Sequence, residues 1–257
     1  FTNTIDNSNK VLTEMMDLIR HRGPDSDGSY IDENIALGFR RLSIIDLSEL
    51  GAQPMTWSDY EIVFNGGIYN FEEIKSELKT LGHQFVGQSD TEVLLHSYQQ
   101  WKEQCIEKCI GMFSFVIHDK KEGKIFIARD RLGVKPLFYY WSNDTFLFAS
   151  ELKAFHSHPL FKKEMNPNAI ASFLQYGNIP TGSCIFKNTH KLDPGHHLTL
   201  DLHTKNITIK NYWSAYDWYN KPINTITFDQ KKKITKEKIT KACAYRMVSD
   251  VPVGIFL

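Results

Sequence analysis

Apolar and polar positions follow two different periods along this chain, and the order of those periods predicts a mixed α and β protein. In "KVLTEMMDLIR", apolar residues recur at helical spacing from Val11 to Ile19. The turn formers of "HRGPDSDG" end that helix, and "IALGFRRLSIID" then reads as extended chain. "EIVFNGG" is an apolar strand running into a glycine pair. Behind it comes the helical pattern "FEEIKSELKTLG", with Asn70 as N-cap, Glu73 as the other half of a capping box and Gly82 as the stop. Ser89 and Glu92 repeat that box before "DTEVLLHSYQQW". "MFSFVIHD" and "KIFIARD" flank "KKEGK" as a hairpin, and "FLFASE" supplies a further strand. Asn166-Pro167 opens a short helix that Gly177 closes. "HHLTLDLHTKNITIKNYW" alternates in steps of two across a second hairpin.

Around "SAYDWYNKPINTIT" the periodicity lapses into aromatics and turn formers, which places a boundary there. The division expected is a first domain over 1–213, a linker over 214–228 and the start of a second domain over 229–257. That second part reads as a helix from Asp229 followed by "DVPVGIFL", an apolar run typical of a strand buried on both faces. A lone strand of that kind lacks parallel neighbours, so the chain after about Trp213 is expected to be loosely held.

Composition narrows the partners. In 257 residues, thirty basic and thirty acidic side chains cancel, so no global field favours nucleic acid or an anionic membrane. No apolar run approaches the roughly 20 residues of a membrane span, and "FTNTIDNSNK" lacks the plan of a signal peptide. Four cysteines without a CxxC pair fit a reducing cytoplasm. The lysines of the last helix read as a solvated face, His196-His197 as strand residues without a third metal ligand, and Cys105 and Cys109 as a core face one helical turn apart.

Three features carry chemistry. Asn65-Gly66 between apolar runs is a strong signal for a type I′ hairpin turn, yet an Asn amide beside an unencumbered Gly N–H also suits an oxyanion. Arg41 offers a guanidinium for a carboxylate, and Asp90 a carboxylate for an ammonium. Each also has a plainer reading: a turn, a surface charge and a first-turn partner of the helix dipole. Residue types alone leave both sets open.

The order of motifs decides between them. "RHRGPDSDG", "RLSIIDLSELGAQPM", "FNGGIYNF", "GQSDTEV", "GMFSFVIHD", "ARDRLGVKPLFYY", "FASELKA" and "PGHHLTL" follow one another as in glutamine-hydrolysing asparagine synthetases of the bacterial type, which the chain resembles over nearly its whole length. The resemblance implies an α+β fold: the N-terminal-nucleophile four-layer αββα sandwich of two antiparallel sheets, followed by the first helix and strand of a pyrophosphatase-type α/β domain. It implies that Arg41 holds the glutamine carboxylate, that Leu42, Ser43, Ile44 and Ile45 line the pocket, that Asp90 takes the α-ammonium, and that Asn65 and Gly66 form the oxyanion hole. In the parent, ammonia would pass to a β-aspartyl adenylate made from aspartate with ATP and Mg²⁺, with Leu257 near the nucleotide. No cofactor is implied for the glutaminase domain, and a homodimer is left open.

Two departures qualify the resemblance. Family members start, after Met removal, with a nucleophilic Cys in a "CGIAGF"-like strand, whereas this sequence starts at Phe1, matching that strand's last residue. The chain as given is therefore expected to be inactive. Gly67 stands where the family usually has the Glu of "NGE", which helps bind the ammonium. Rival readings are an amidotransferase for a sugar or cell-surface precursor and a degenerate glutamine-binding scaffold.

Overall fold

The structure is a computed structural model and describes residues 7–222 and 225–254. Helix α1 (Ser8–Leu18) leads into the hairpin of β1 (Ser26–Ile31) and β2 (Ala36–Arg41). The short β3 (Met55–Trp57) and long β4 (Tyr60–Ile68) precede three helices, α2 (Phe71–Thr80), α3 (Asp90–Trp101) and α4 (Cys105–Lys108). Strands β5 (Gly111–Asp119), β6 (Lys124–Arg129), β7 (Phe138–Ser142) and β8 (Thr145–Ala149) follow, then α5 (Pro167–Tyr176), β9 (Thr189–Lys191), β10 (His196–Asp201) and β11 (Ile207–Asn211). The last elements are α6 (Ala215–Tyr219) and α7 (Phe228–Arg246).

Every strand pairing is antiparallel. One sheet runs β11-β10-β6-β5-β4-β3; the other layer comes in two pieces, β1-β2 and β8-β7-β9. Alternation along the strands builds the layers. Ile62, Phe64, Phe115, Ile117, Phe126 and Ala128 face α2 and α3, packing on Ile74, Leu78, Leu94 and Leu95. Their neighbours Val63, Val116, Ile125 and Ile127 face the other way, against Leu37, Leu137 and Phe146 of the second layer. Tyr140, Leu147 and Phe155 then meet Met15 of α1 and Ile19 just after it. The result is helix, sheet, sheet, helix, the four-layer sandwich expected. Helix α1 seats closely because β2 carries Gly38, where a Cβ would fall 2.6 Å from the Met16 sulfur.

Several local expectations change. Asn65-Gly66 makes no turn: it lies within β4, paired to Ser114 and Phe113 of β5 in unbroken register. Strand β1 begins at Ser26, within the last three residues of the segment read as a loop of turn formers. Asn70 does precede α2, but its side chain bridges the Lys108 carbonyl (3.0 Å) and the Ile110 N–H (2.8 Å) and closes no capping box. Glu73 accepts from the Tyr245 hydroxyl (2.7 Å). The Ser89 half of the second box forms, while Glu92 reaches further back and accepts from Val86 and Gly87 N–H. Helix α7 opens on a capping box of Thr227 and Gln230 and buries no residue, so it rides exposed as expected. The predicted strand after it is not formed over 251–254, and Leu257 lies outside the described residues.

Candidate functional site

The far half of β4 is the edge of its sheet, because β3 pairs only with Tyr60, Glu61 and Ile62. An antiparallel ladder turns alternate residues toward and away from its partner. Phe113, opposite Gly66, directs both its N–H and its carbonyl to Asp130, so the Gly66–Phe113 pair is one whose backbone groups point outward. On the open side of β4 the Phe64 N–H goes to the Gln53 side-chain oxygen (2.6 Å) and the Ile68 N–H to Asp90 Oδ2 (2.9 Å). Between them the same alternation turns out the N–H of Gly66. This residue has φ +152°, and a Cβ there would fall 2.1 Å from the Met112 carbonyl oxygen. Only glycine fits this position. Asn65, one residue earlier, turns its side chain to the space between the sheets, where Nδ2 donates to Ser150 Oγ at 3.4 Å.

Asp90 sits at the first turn of α3, 5% exposed. Burial pushes its carboxyl up to about 6, against the opposing pull of the Ile68 and Thr91 N–H groups. No cation partners it in an ion pair among the described residues. Gly67 is buried beside it without crowding: a Cβ would lie 3.9 Å from Asp90 Oδ2 and 3.8 Å from the Tyr69 ring, ordinary contacts. The position therefore accepts a side chain.

Arg41 ends β2. Its guanidinium donates to the Ser48 carbonyl (3.1 Å) and closely to that of Asp46, folding the loop 42–48 around itself. Among the described residues these bonds use two of its five donors, which fixes the group while leaving donors for a ligand. Leu42, Ile44 and Ile45 face the same cavity as Arg41, whereas the Ser43 N–H turns away to the Asp25 carboxylate (2.8 Å). The loop is also held from the chain's far end. Asp250 N–H donates to the Ile44 carbonyl (3.0 Å), and Asp250 Oδ2 accepts from the Asp46 N–H (2.8 Å). Just before it, Arg246 lies over the Tyr69 ring at 5.2 Å. The tail beyond α7 is thus docked by specific bonds at the site, more firmly than the sequence led us to expect.

Arg41, Asn65, Gly66, Gly67 and Asp90 border one cavity of about 1100 Å³ between the two sheets, lined also by the edge strands β2 (Gly38 to Arg41) and β8 (Phe146 to Ala149). Its chemistry is that of a receptor for a small zwitterion bearing a carbonyl: a cation for a carboxylate, a buried carboxylate for an ammonium, and an amide with a free N–H for an oxyanion. Sequence reasoning missed Gln53 and Ser150, whose only signal was their place inside the "GAQPM" and "FASELKA" motifs. The cysteines supply no nucleophile here: Cys105, Cys109 and Cys184 are buried elsewhere in the fold and Cys243 is on α7. Burial drives the Cys109 thiol up to about 12.

Comparison with known proteins gives the same direction. The family model described as a glutamine amidotransferase domain matches residues 1–213. The chain is 37% identical over 253 residues to asparagine synthetase (glutamine-hydrolyzing) 3 of Bacillus subtilis strain 168, covering 96% of this chain and 40% of that protein. It is 40% identical over 270 residues to the putative asparagine synthetase (glutamine-hydrolyzing) 2 of Methanocaldococcus jannaschii, covering 96% and 51%. The chain therefore spans about half or less of these relatives. Among solved structures it shares the fold of the glutamine phosphoribosylpyrophosphate amidotransferase from B. subtilis, with TM-score 0.57 and 17% identity over 79% of this chain and 46% of that one.

Proposed function

The chain belongs to the glutamine amidotransferase family, and from that premise we propose that it is the glutaminase part of a glutamine-dependent asparagine synthase. The observation that carries this reading is the convergence of Arg41, Asp90, Asn65 and Gly66 on one cavity. Arg41 takes the glutamine α-carboxylate, Asp90 the α-ammonium, and the side-chain amide then extends along β4 toward Asn65 and Gly66. The first domain spans 1–213, the linker 214–228, and 229–257 begins the synthetase part. ATP, Mg²⁺ and aspartate belong to that part. Among the described residues no three His, Cys, Asp or Glu side chains gather as metal ligands, and no glycine-rich phosphate loop is present, so no step below runs through them.

The borders of the cavity support one position for a nucleophile. Among the described residues, strands β2 and β8 each have one sheet neighbour, and both border the cavity. A strand laid between them would join the two pieces of the second layer into one sheet. A Cys at the start of such a strand would attack the glutamine carboxamide carbon, its own α-amine taking the thiol proton and passing it to departing ammonia. Asn65 Nδ2 and the Gly66 N–H would hold the oxyanion, and water would release glutamate from the thioester. The test is ammonia release: the chain starting at Phe1 is expected to give none above a buffer blank, and the same chain extended by a processed Cys-Gly-Ile-Ala-Gly segment to hydrolyse glutamine. Failure of the extended chain to do so would remove the proposal. In the full-length protein, asparagine formed from aspartate, ATP and glutamine separates this reading from amination of a sugar.

Gly67 gives a smaller prediction. Its backbone and surroundings admit a side chain, and a carboxylate there would join Asp90 around the ammonium. In the Cys-initiated protein, Gly67→Glu is expected to lower the KM for glutamine by about three- to tenfold with little change in kcat, the size of one partly solvated charge contact. An unchanged KM would mean that Asp90 alone already satisfies the ammonium.

A further inference from the structure

Gln53, from the "GAQPM" motif, has no role in the reaction described so far. We infer that Gln53 is a positioning residue of the oxyanion site, an assignment that rests on the glutaminase reading above. Its half-buried side chain meets the backbone of Phe64 in both directions: Oε1 accepts from the Phe64 N–H at 2.6 Å, and Nε2 donates to the Phe64 carbonyl at 3.2 Å. These are the two bonds that a neighbouring strand would make. Strand β3 ceases to pair at Ile62, so past that point the Gln53 amide stands in for the absent partner. The second Nε2 hydrogen reaches Thr91 Oγ1 at 3.2 Å, next to Asp90. One side chain thus ties the strand that presents the oxyanion donors to the start of the helix that presents the ammonium's carboxylate.

The location matters because of Gly66. With no Cβ and a φ that favours glycine, Gly66 has no side chain of its own to hold its peptide groups in place. The outward N–H groups two residues to either side are both fixed by side chains, Ile68 by Asp90 and Phe64 by Gln53. Asp90 is accounted for by the substrate. Gln53 touches no reacting atom in this scheme, and its bonds go to the frame on which the Gly66 N–H is aimed. An Asn at this position would be one methylene too short to span the same groups. A Glu would keep the acceptor for the Phe64 N–H and lose both donations.

The test compares two reactions of the Cys-initiated protein. Hydrolysis of glutamine develops an oxyanion, whereas alkylation of the same thiol by iodoacetamide does not. Gln53→Ala is expected to lower kcat for hydrolysis by about 10- to 100-fold, with KM within about threefold and the alkylation rate unchanged. Gln53→Glu is expected to recover part of the loss, and it provides the reading if the alanine variant proves unstable. Equal hydrolysis by the unsubstituted protein and both variants overturns the assignment. So does a parallel fall in hydrolysis and alkylation, since that marks general loss of structure. If the unsubstituted Cys-initiated protein releases no ammonia at all, the glutaminase reading fails and takes this inference with it; hydrolysis insensitive to Gln53 refutes the inference alone.

Discussion

Asn65→Ala in the Cys-initiated protein is expected to lower kcat for glutamine hydrolysis by about 10²- to 10³-fold, equivalent to about 3–4 kcal/mol, while KM stays within about threefold. The asymmetry follows from the role. The Nδ2 group now donates to Ser150 Oγ over a long 3.4 Å contact, so it exchanges a weak bond for a strong one only when negative charge develops on the carbonyl oxygen. The substitution is mild for the fold, because the pairing of Asn65 with Ser114 is made by backbone. Steady-state kinetics with thermal unfolding as the control decides the point. A turnover matching the parent's would return Asn65 to an ordinary strand position.

Before folding, this residue had two readings, and the reason illustrates what sequence can and cannot convey. Asn-Gly is a turn signal because of local backbone preference, and nothing within five residues of Asn65 contradicts it. What overrides it is β5, more than forty residues on, whose nine residues pair with all of β4 and carry the chain straight through the glycines. Asn70 holds the N-cap position as expected, and its side chain leaves the box for the same reason: the residues that engage it, Lys108 and Ile110, are remote in sequence, while the capping box is a local pattern. The hairpin of β5 and β6, the capped helix α5 and the hairpin of β10 and β11 were legible because their contacts are local and their signals agree.

The site was legible as a set of residue types and through the resemblance, but not as geometry. Arg41, Asp90 and Asn65 come from three separate elements, and no periodicity places them together. Ser43 shows the limit of carrying over a run of pocket residues, since loop backbones alternate in direction and its N–H serves Asp25. The segment after α7 was read as a strand from its apolar run alone. Over 251–254 it is irregular, and what fixes the preceding turn is polar, the two bonds of Asp250 to the loop 44–46.

Asp90 should reveal the cost of a receptor for an ammonium ion. Its carboxyl is displaced from its ordinary 3.8 to about 6 by burial, so between those values the folded chain holds a proton that the unfolded chain has released. Stability therefore falls as pH rises through that window, and above it the ionised, unpaired group costs about 3 kcal/mol, at about 1.4 kcal/mol per unit of pKa. Asp90→Asn keeps an oxygen to accept from the Ile68 N–H and removes the charge, so at pH 7 the variant is expected to be about 2–3 kcal/mol more stable than the parent, with the difference closing below pH 4. Glutamine binding should move the opposite way. Without the carboxylate the ammonium would enter a buried site unpaired, and affinity should fall by about 10³-fold, or about 4 kcal/mol. In the parent, affinity should itself weaken as pH drops below about 6, where Asp90 takes up its proton, while the already weak binding of the variant should stay flat from pH 5 to 7. Calorimetric titration with glutamine and thermal unfolding, run on both proteins across that range, check both halves. A variant that lost affinity and stability together would show that Asp90 serves the fold first, through the Ile68 and Thr91 amides, and that the ammonium is held elsewhere.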